Sequence, residues 1–114
     1  MSQVLDKRTA DSRQYDIDCS LLLAPGETIT SITAVTADQG GLAFSTPAAN
    51  DVAVTYPDGR VVPIAKVVQV LITAGAIPAG SQELVCTIRA LLVTNLNPAL
   101  EATVLLRLTD TITP

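Results

Sequence analysis

The chain contains no histidine and no tryptophan, and among its 114 residues there are only one phenylalanine and two tyrosines. Without histidine, neither a Ser–His nor a Cys–His nucleophile pair can be built. Two cysteines without histidine make a poor zinc ligand set, because carboxylates would have to complete it. Three aromatic rings are too few for a base-stacking platform or a sugar-stacking cleft. Basic residues are also sparse: the seven lysines and arginines are scattered, the net charge is −4, and no basic stripe could neutralise phosphates. No apolar run approaches the roughly 18 residues of a membrane-spanning helix. The N-terminal stretch MSQVLDKRTADSRQ has no apolar core of the kind a secretory signal carries. No glycine-rich turn opens a helix, so no phosphate loop is present. These absences argue against enzyme, cofactor, metal, nucleic-acid and membrane functions.

What the chain has instead is aliphatic surface. Hydrophobic residues make up 48 % and the mean hydropathy is +0.43. A single domain of this size can bury a core without metal or disulfide support. It cannot bury this much Val, Leu, Ile and Ala, so part of that surface is expected to meet a partner.

The aliphatics alternate with polar residues at period two. Tyr15, Ile17, Cys19 and Leu21 share one face, with Asp16, Asp18 and Ser20 on the other. Thr28–Val35 is rich in Thr and Ile, and its parity slips between Ile29 and Ile32, which predicts a bulge. Leu42–Phe44 reads as a short strand followed by a loop around Pro47. Residues 52–56 alternate up to YPDGRV, where Pro57 fixes φ and Gly59 supplies a positive φ, so a hairpin is expected. Lys66–Ile72 is strand-like. Leu84–Val93 is apolar on both faces, which predicts a central strand or one covered outside. Ala102–Thr109 alternates again. About seven short strands with turns every eight to twelve residues predict an all-β antiparallel sandwich. The domain boundaries read as an arm at 1–13, a sandwich at 14–110 and a tail at 111–114.

The Asp16–Cys19 stretch, DIDC, invites a catalytic or metal reading. Two strand carboxylates at i and i+2 stand about 7 Å apart, a separation that could suit a glycosidase, but the cleft with stacking rings is missing. Calcium ligation by Asp16 and Asp18 with Asp38 or Asp51 lacks the spacing of a calcium loop. The alternation favours a solvated strand face. Arg89 and Arg107, mid-strand on outward positions, are expected to pair with carboxylates, across strands or with Asp16 or Asp18. Cys19 and Cys86 are separated by roughly the span of an immunoglobulin inter-sheet disulfide. The tryptophan that accompanies that bridge is absent, and Leu84 stands where the corner tyrosine would be, so two buried free thiols are expected.

The order of elements resembles a family of small tailed-phage virion proteins. In that family a Y-x-I-D-x-S-x-x-L strand precedes a G-(D/E)-T-I-x-S turn and strand. A G-L strand, an aliphatic V-x-V-x-(L/I) strand, a glycine loop, a long Thr/Val-rich strand and a closing strand follow. Here the corresponding pieces are YDIDCSLLL, GETITSI, GLAF, VVQVLI, AGAIPAG, ELVCTIRALLVT and ATVLLRL. The chain departs from the pattern at Cys19, where the family usually has tryptophan, and in the added hairpin YPDGRVVPIA. Capsid decoration, head fibre, and neck or tail accessory roles therefore stay open.

The resemblance implies an immunoglobulin-like sandwich and a non-enzymatic structural role in the virion, with the chain made in the host cytoplasm. Its partners would be major capsid or neck and tail proteins, with many copies or a homo-oligomer per particle. A tail, baseplate or fibre-attachment module, or a host-surface or carbohydrate-binding domain, is the alternative. From the residues themselves, Ile17, Cys19, Ile88, Leu92, Val104 and Leu106 are the expected core. The expected interface is Val85, Leu91, Val93 and Leu105 on the outward registers, together with the charged arm residues Asp6, Lys7, Arg8, Asp11 and Arg13.

Overall fold

The computed structural model describes residues 4–109. The expected tail at 111–114, residue 110 and the first three positions lie outside them. The described chain is all-β. β1 (Val4–Arg8), β2 (Arg13–Asp18), β3 (Ile29–Ala37) and β4 (Leu42–Ala49) precede a small hairpin, β5 (Val54–Thr55) with β6 (Val61–Val62). β7 (Val67–Ala74), β8 (Glu83–Thr94) and β9 (Leu100–Thr109) follow. Four strands form one sheet in the order β1-β9-β8-β3, and three form a second in the order β2-β7-β4. Among the described residues nine strands stand where seven or so were expected, the additions being β1 and β6, the second strand of the hairpin.

Alternation explains the core. Tyr15 and Ile17 of β2, Val68, Val70 and Ile72 of β7, Ile88, Ala90 and Leu92 of β8, and Ala102, Val104, Leu106 and Leu108 of β9 point into one cluster between the two sheets. All six expected core residues are buried. β8 is central, paired with β9 along its length and with β3 on its other side, as its two apolar faces predicted. The parity slip in β3 is a register shift between Ile29 and Ser31, with a second between Ile32 and Ala34. The YPDGRV turn closes as expected: the Tyr56 N–H donates to the Arg60 carbonyl at 2.9 Å, and Gly59 sits at φ 89°.

Four details differ from expectation. Residues 4–8 are not an arm: β1 lies parallel to β9 from Val4 opposite Leu105 to Arg8 opposite Thr109. Leu5 and Lys7 face inward, and the Tyr15 hydroxyl donates to the Asp6 carbonyl at 2.7 Å, tying β2 to β1. Arg13, also assigned to the arm, opens β2 opposite Ile72. Leu21 does not join the inward face, because the Leu22 and Leu23 amides both donate back to the Cys19 carbonyl and turn the chain; Leu21 is 71 % exposed. β4 runs through Pro47 instead of stopping before it. It is an edge strand, and a register shift between Ser45 and Ala48, with Thr46 at φ 48°, takes the proline off the ladder.

Three buried polar side chains knit the loops. The Asn50 carboxamide oxygen accepts the Lys66 and Val67 amides, and its nitrogen donates to the Val52 and Pro63 carbonyls, all at 2.9–3.0 Å. This fully satisfied amide fixes the base of the inserted hairpin. Glu27 accepts from the Ala24 amide at 2.9 Å, the Thr94 hydroxyl at 2.5 Å and the Asn97 side chain at 2.6 Å, which locks the β2–β3 loop to the β8–β9 turn. Lys7, 2 % exposed, donates to the carbonyls of Arg8 at 2.8 Å and Ala74 at 2.6 Å, with Thr9 at 3.5 Å, and so clamps β1 to the end of β7. Gly40, at φ 94°, packs so tightly that an added Cβ would stand 2.8 Å from the Cys86 sulfur.

Candidate functional site

The DIDC stretch divides as alternation predicts. Ile17 and Cys19 are buried, while Asp16, opposite Gln69 of β7, and Asp18 are only partly covered. Asp18 is occupied structurally. One carboxylate oxygen accepts the Ser20 amide at 2.9 Å and the other accepts the Arg60 guanidinium at 2.6 Å. Burial pushes the Asp18 carboxyl up, but the bonds from Ser20 and Arg60 and the Arg60 charge outweigh it and hold the group below its ordinary value. Arg60 also lies over the Tyr56 ring of its own hairpin, 4.6 Å from its centre, which holds the guanidinium in place while its pair with Asp18 ties the hairpin to β2. The sequence did not announce this pairing, because Asp18 and Arg60 are far apart along the chain.

Cys19 and Cys86 are free thiols. Cys19 lies beside Ala102 and Val104, whereas Cys86 stands opposite Leu106 and against Gly40. They occupy different levels of the core. Burial, helped by the Asp18 charge, pushes the Cys19 thiol up to about 12. Burial, then Asp38, raises the Cys86 thiol as well. Both are held as neutral small hydrophobes, the opposite of what a nucleophile or metal ligand needs. Among the described residues, no three His, Cys, Asp or Glu side chains cluster as a metal site.

The outward face of the four-stranded sheet gathers the expected aliphatic residues. Val85 is 46 % exposed, Leu91 41 % and Leu105 37 %; Val93 is half-buried beside Ser31 of β3. Val4, not foreseen, joins them because it stands opposite Leu105. Two ion pairs cross this face. Arg107 Nε meets Asp6 at 2.8 Å directly across the β1–β9 ladder, and Arg89 Nε meets Glu101 at 3.7 Å on the diagonal between β8 and β9. The arginines therefore pair across strands, and neither takes Asp16 or Asp18. The surface is an aliphatic mosaic pinned by paired charges, with its side chains set by the pleat of three neighbouring strands.

The charged residues assigned to the arm do not act as one group. Asp6 belongs to this outward face through Arg107, and Arg8 is exposed at the end of β1. Lys7 is inside. Asp11 sits in the turn after β1, where its amide donates to the Arg8 carbonyl at 3.1 Å, and its charge acts on Lys7. Arg13 is exposed, 5.9 Å from the centre of the Tyr15 ring.

A second feature was not legible in the sequence. A cavity of about 500 Å3 opens between the end of β2 and the start of β9. Its floor is Ile17, Cys19, Ala102 and Val104, and its rim carries Leu21 and Leu22, 71 % and 45 % exposed. Tyr56 lines it, and the Tyr56 hydroxyl oxygen is buried without a hydrogen-bond partner among the described residues. Burial, then the charges of Asp18 and Asp16, push that phenol up to about 12, so it is a neutral donor. No family model matches the chain, and neither a curated protein nor a solved structure matches it.

Proposed function

We propose that the chain is a non-enzymatic structural protein of a tailed-phage virion, a capsid decoration or other head-associated subunit that works through protein–protein contacts. The observation that carries this reading is the outward face of the four-stranded sheet. Val4, Val85, Leu91 and Leu105 hold exposed aliphatic surface on a rigid, ladder-paired platform. Such a face favours burial against another subunit, at about 25 cal/mol per Å2 of apolar area covered. The ion pairs among the aliphatics set orientation more than affinity. The order of sequence elements from YDIDCSLLL to ATVLLRL, which resembles small virion proteins of this kind, supports the same reading.

The strand order supports an immunoglobulin-like classification within this proposal. In such domains one sheet runs B-E-D and the other C-F-G. Taken in chain order, β2, β7 and β4 fill the first set and β3, β8 and β9 the second, with β1 parallel to β9 at the free edge of the last strand and β5–β6 inserted before the E position.

Sedimentation velocity of the wild type and of Leu105→Asp tests the contact. The wild type should form higher oligomers, and the variant should be a folded monomer by circular dichroism. A wild type that stays monomeric up to about 1 mM, a dissociation constant worth only about 4 kcal/mol, would count against this face as a subunit contact.

A further inference from the structure

Ten large hydrophobic side chains are exposed among the described residues. Four of them, Val4, Val85, Leu91 and Leu105, belong to the outward sheet face. The other six lie on the loops and the inserted hairpin at one end of the sandwich, where β2, β4 and β8 finish and β3, β7 and β9 begin. Three of these, Val52, Ile64 and Leu96, each more than half exposed, flank residues 26–29 at the start of β3. Leu96 flanks them from the β8–β9 turn. The Asn95 side chain donates to the Gly26 carbonyl at 3.0 Å and accepts the Thr28 amide at 2.9 Å, while the Leu96 and Asn97 amides donate to the Thr94 hydroxyl oxygen. Ile64 flanks them from the segment before β7. There the Ala65 carbonyl accepts the Ile29 amide at 2.8 Å, and the Lys66 ammonium donates to the Glu27 carbonyl at 2.8 Å. Val52 is tied to the same segment, because the Asn50 carboxamide donates to both the Val52 and the Pro63 carbonyls. Ala65, a non-glycine residue at φ 60°, stands between an exposed Ile64 and an inward-turned Lys66, a strained conformation that the bonds around it sustain. β9 and β8 separate β3 from the β1 edge.

We propose that this loop end is a second contact surface, which docks Val52, Ile64 and Leu96 into an apolar recess bordered by lysine or arginine on a different protein. Single exposed aliphatics are ordinary on a protein surface. These three are held by one hydrogen-bond net across three loops, so covering them costs little further ordering, and they can act as preformed anchors. The charge of the partner follows from the charges around them. Lys66 and Arg60, the cations of this end among the described residues, are committed within the fold, Lys66 to the Glu27 carbonyl and Arg60 to Asp18 at 2.6 Å. Asp51, next to Val52, and Asp58, in the hairpin turn, are exposed. A second copy packed end to end would set these acids against their own kind, and an anionic bilayer would repel them in the same way. A basic border complements them and speeds the encounter. This surface shares no residue with the outward sheet face and does not rest on the virion assignment.

A bead-displayed library of random peptides, screened against the full chain, tests it. The enriched peptides should combine aliphatic or aromatic residues with lysine or arginine. Ile64→Asp and Leu96→Asp should each weaken a selected peptide at least tenfold while leaving the urea midpoint of the chain unchanged, since both side chains are exposed. Asp51→Lys, which touches none of the aliphatics, should move the enriched set from basic to acidic peptides. Leu105→Asp should leave binding unchanged, which separates this surface from the sheet face. The proposal is overturned if no peptide is enriched, if Ile64→Asp and Leu96→Asp bind as the wild type does, or if Asp51→Lys still selects basic peptides. It is also overturned if Leu105→Asp weakens binding as much as Leu96→Asp. Two further results assign the surface to another occupant and overturn it as well. One is a lower sedimentation coefficient of the chain alone in Leu96→Asp, which makes the occupant a second copy. The other is flotation of the wild type, but not of Leu96→Asp, with vesicles of phosphatidylcholine and phosphatidylglycerol, which makes it a membrane.

Discussion

Lys7→Met separates a docked β1 from a loose arm. In the wild type the Lys7 ammonium is 2 % exposed and donates to the Ala74 carbonyl at 2.6 Å and the Arg8 carbonyl at 2.8 Å. Methionine keeps most of the side-chain volume and removes the donors, leaving the Ala74 and Arg8 carbonyls of two part-buried bonds without that partner. A buried polar group left without its partner costs about 1–3 kcal/mol. Two such groups, less the relief of no longer desolvating an ammonium, put the net loss at about 2–4 kcal/mol. For a domain this size each kcal/mol lowers Tm by about 4–8 °C.

Urea unfolding followed by far-ultraviolet circular dichroism suits a chain without tryptophan. The pH dependence gives a second reading. Burial lowers the Lys7 ammonium below its ordinary 10.5 against the opposing pull of Asp11. In the window between the folded value and 10.5 the unfolded chain therefore binds more protons than the folded one. Stability of the wild type relative to Lys7→Met should rise as pH climbs through that window. A loss below about 0.5 kcal/mol, the scale of an ordinary surface substitution, would refute the buried clamp and return residues 4–8 to an arm.

Leu92→Ala and Leu106→Ala, at 1 % and 0 % exposure in the central ladder, should each cost about 2–5 kcal/mol in the same urea assay. Losses under about half a kcal/mol in both would refute the register. The Glu27 carboxyl is held below its ordinary 4.5 first by the Thr94 hydroxyl, then by the Ala24 amide and Asn97. Its contribution is thus present above 4.5 and lost as pH falls through the lower folded value, so acid titration of stability should be shallower in Glu27→Gln than in wild type. Cys19 and Cys86 should resist iodoacetamide in the native state and both react on denaturation without a reductant, as read by intact mass; protection persisting until reduction would show a disulfide.

Legibility followed side-chain contrast. β9 could be read because aliphatic and polar residues alternate along it, β8 because its long run is apolar on both faces, and Ile17 and Cys19 because aspartates flank them. β1 could not, because its second inward position is Lys7: a charge there erases the alternation that Leu5 begins, and the carbonyls that hold it include that of the distant Ala74. Leu21 was misplaced because strand parity continues on paper past Cys19, whereas the chain turns there by bonds to one carbonyl. The aliphatic members of the outward face were legible as excess apolar registers. Val4 was not, since its place depends on a parallel pairing with β9 that no local pattern encodes. The cavity depends on the end of β2 meeting the start of β9 and on Tyr56 arriving from the inserted hairpin, both products of long-range topology.

The central claim is that the chain is a structural subunit of a virion. Quantitative mass spectrometry of density-purified phage particles from a lysate that contains the chain tests this most directly. The account predicts the chain in the particles at many copies relative to the portal protein, and retained through salt washing, because an aliphatic contact is not screened by salt. Its absence from purified particles, with abundant free chain left in the lysate, would contradict the account.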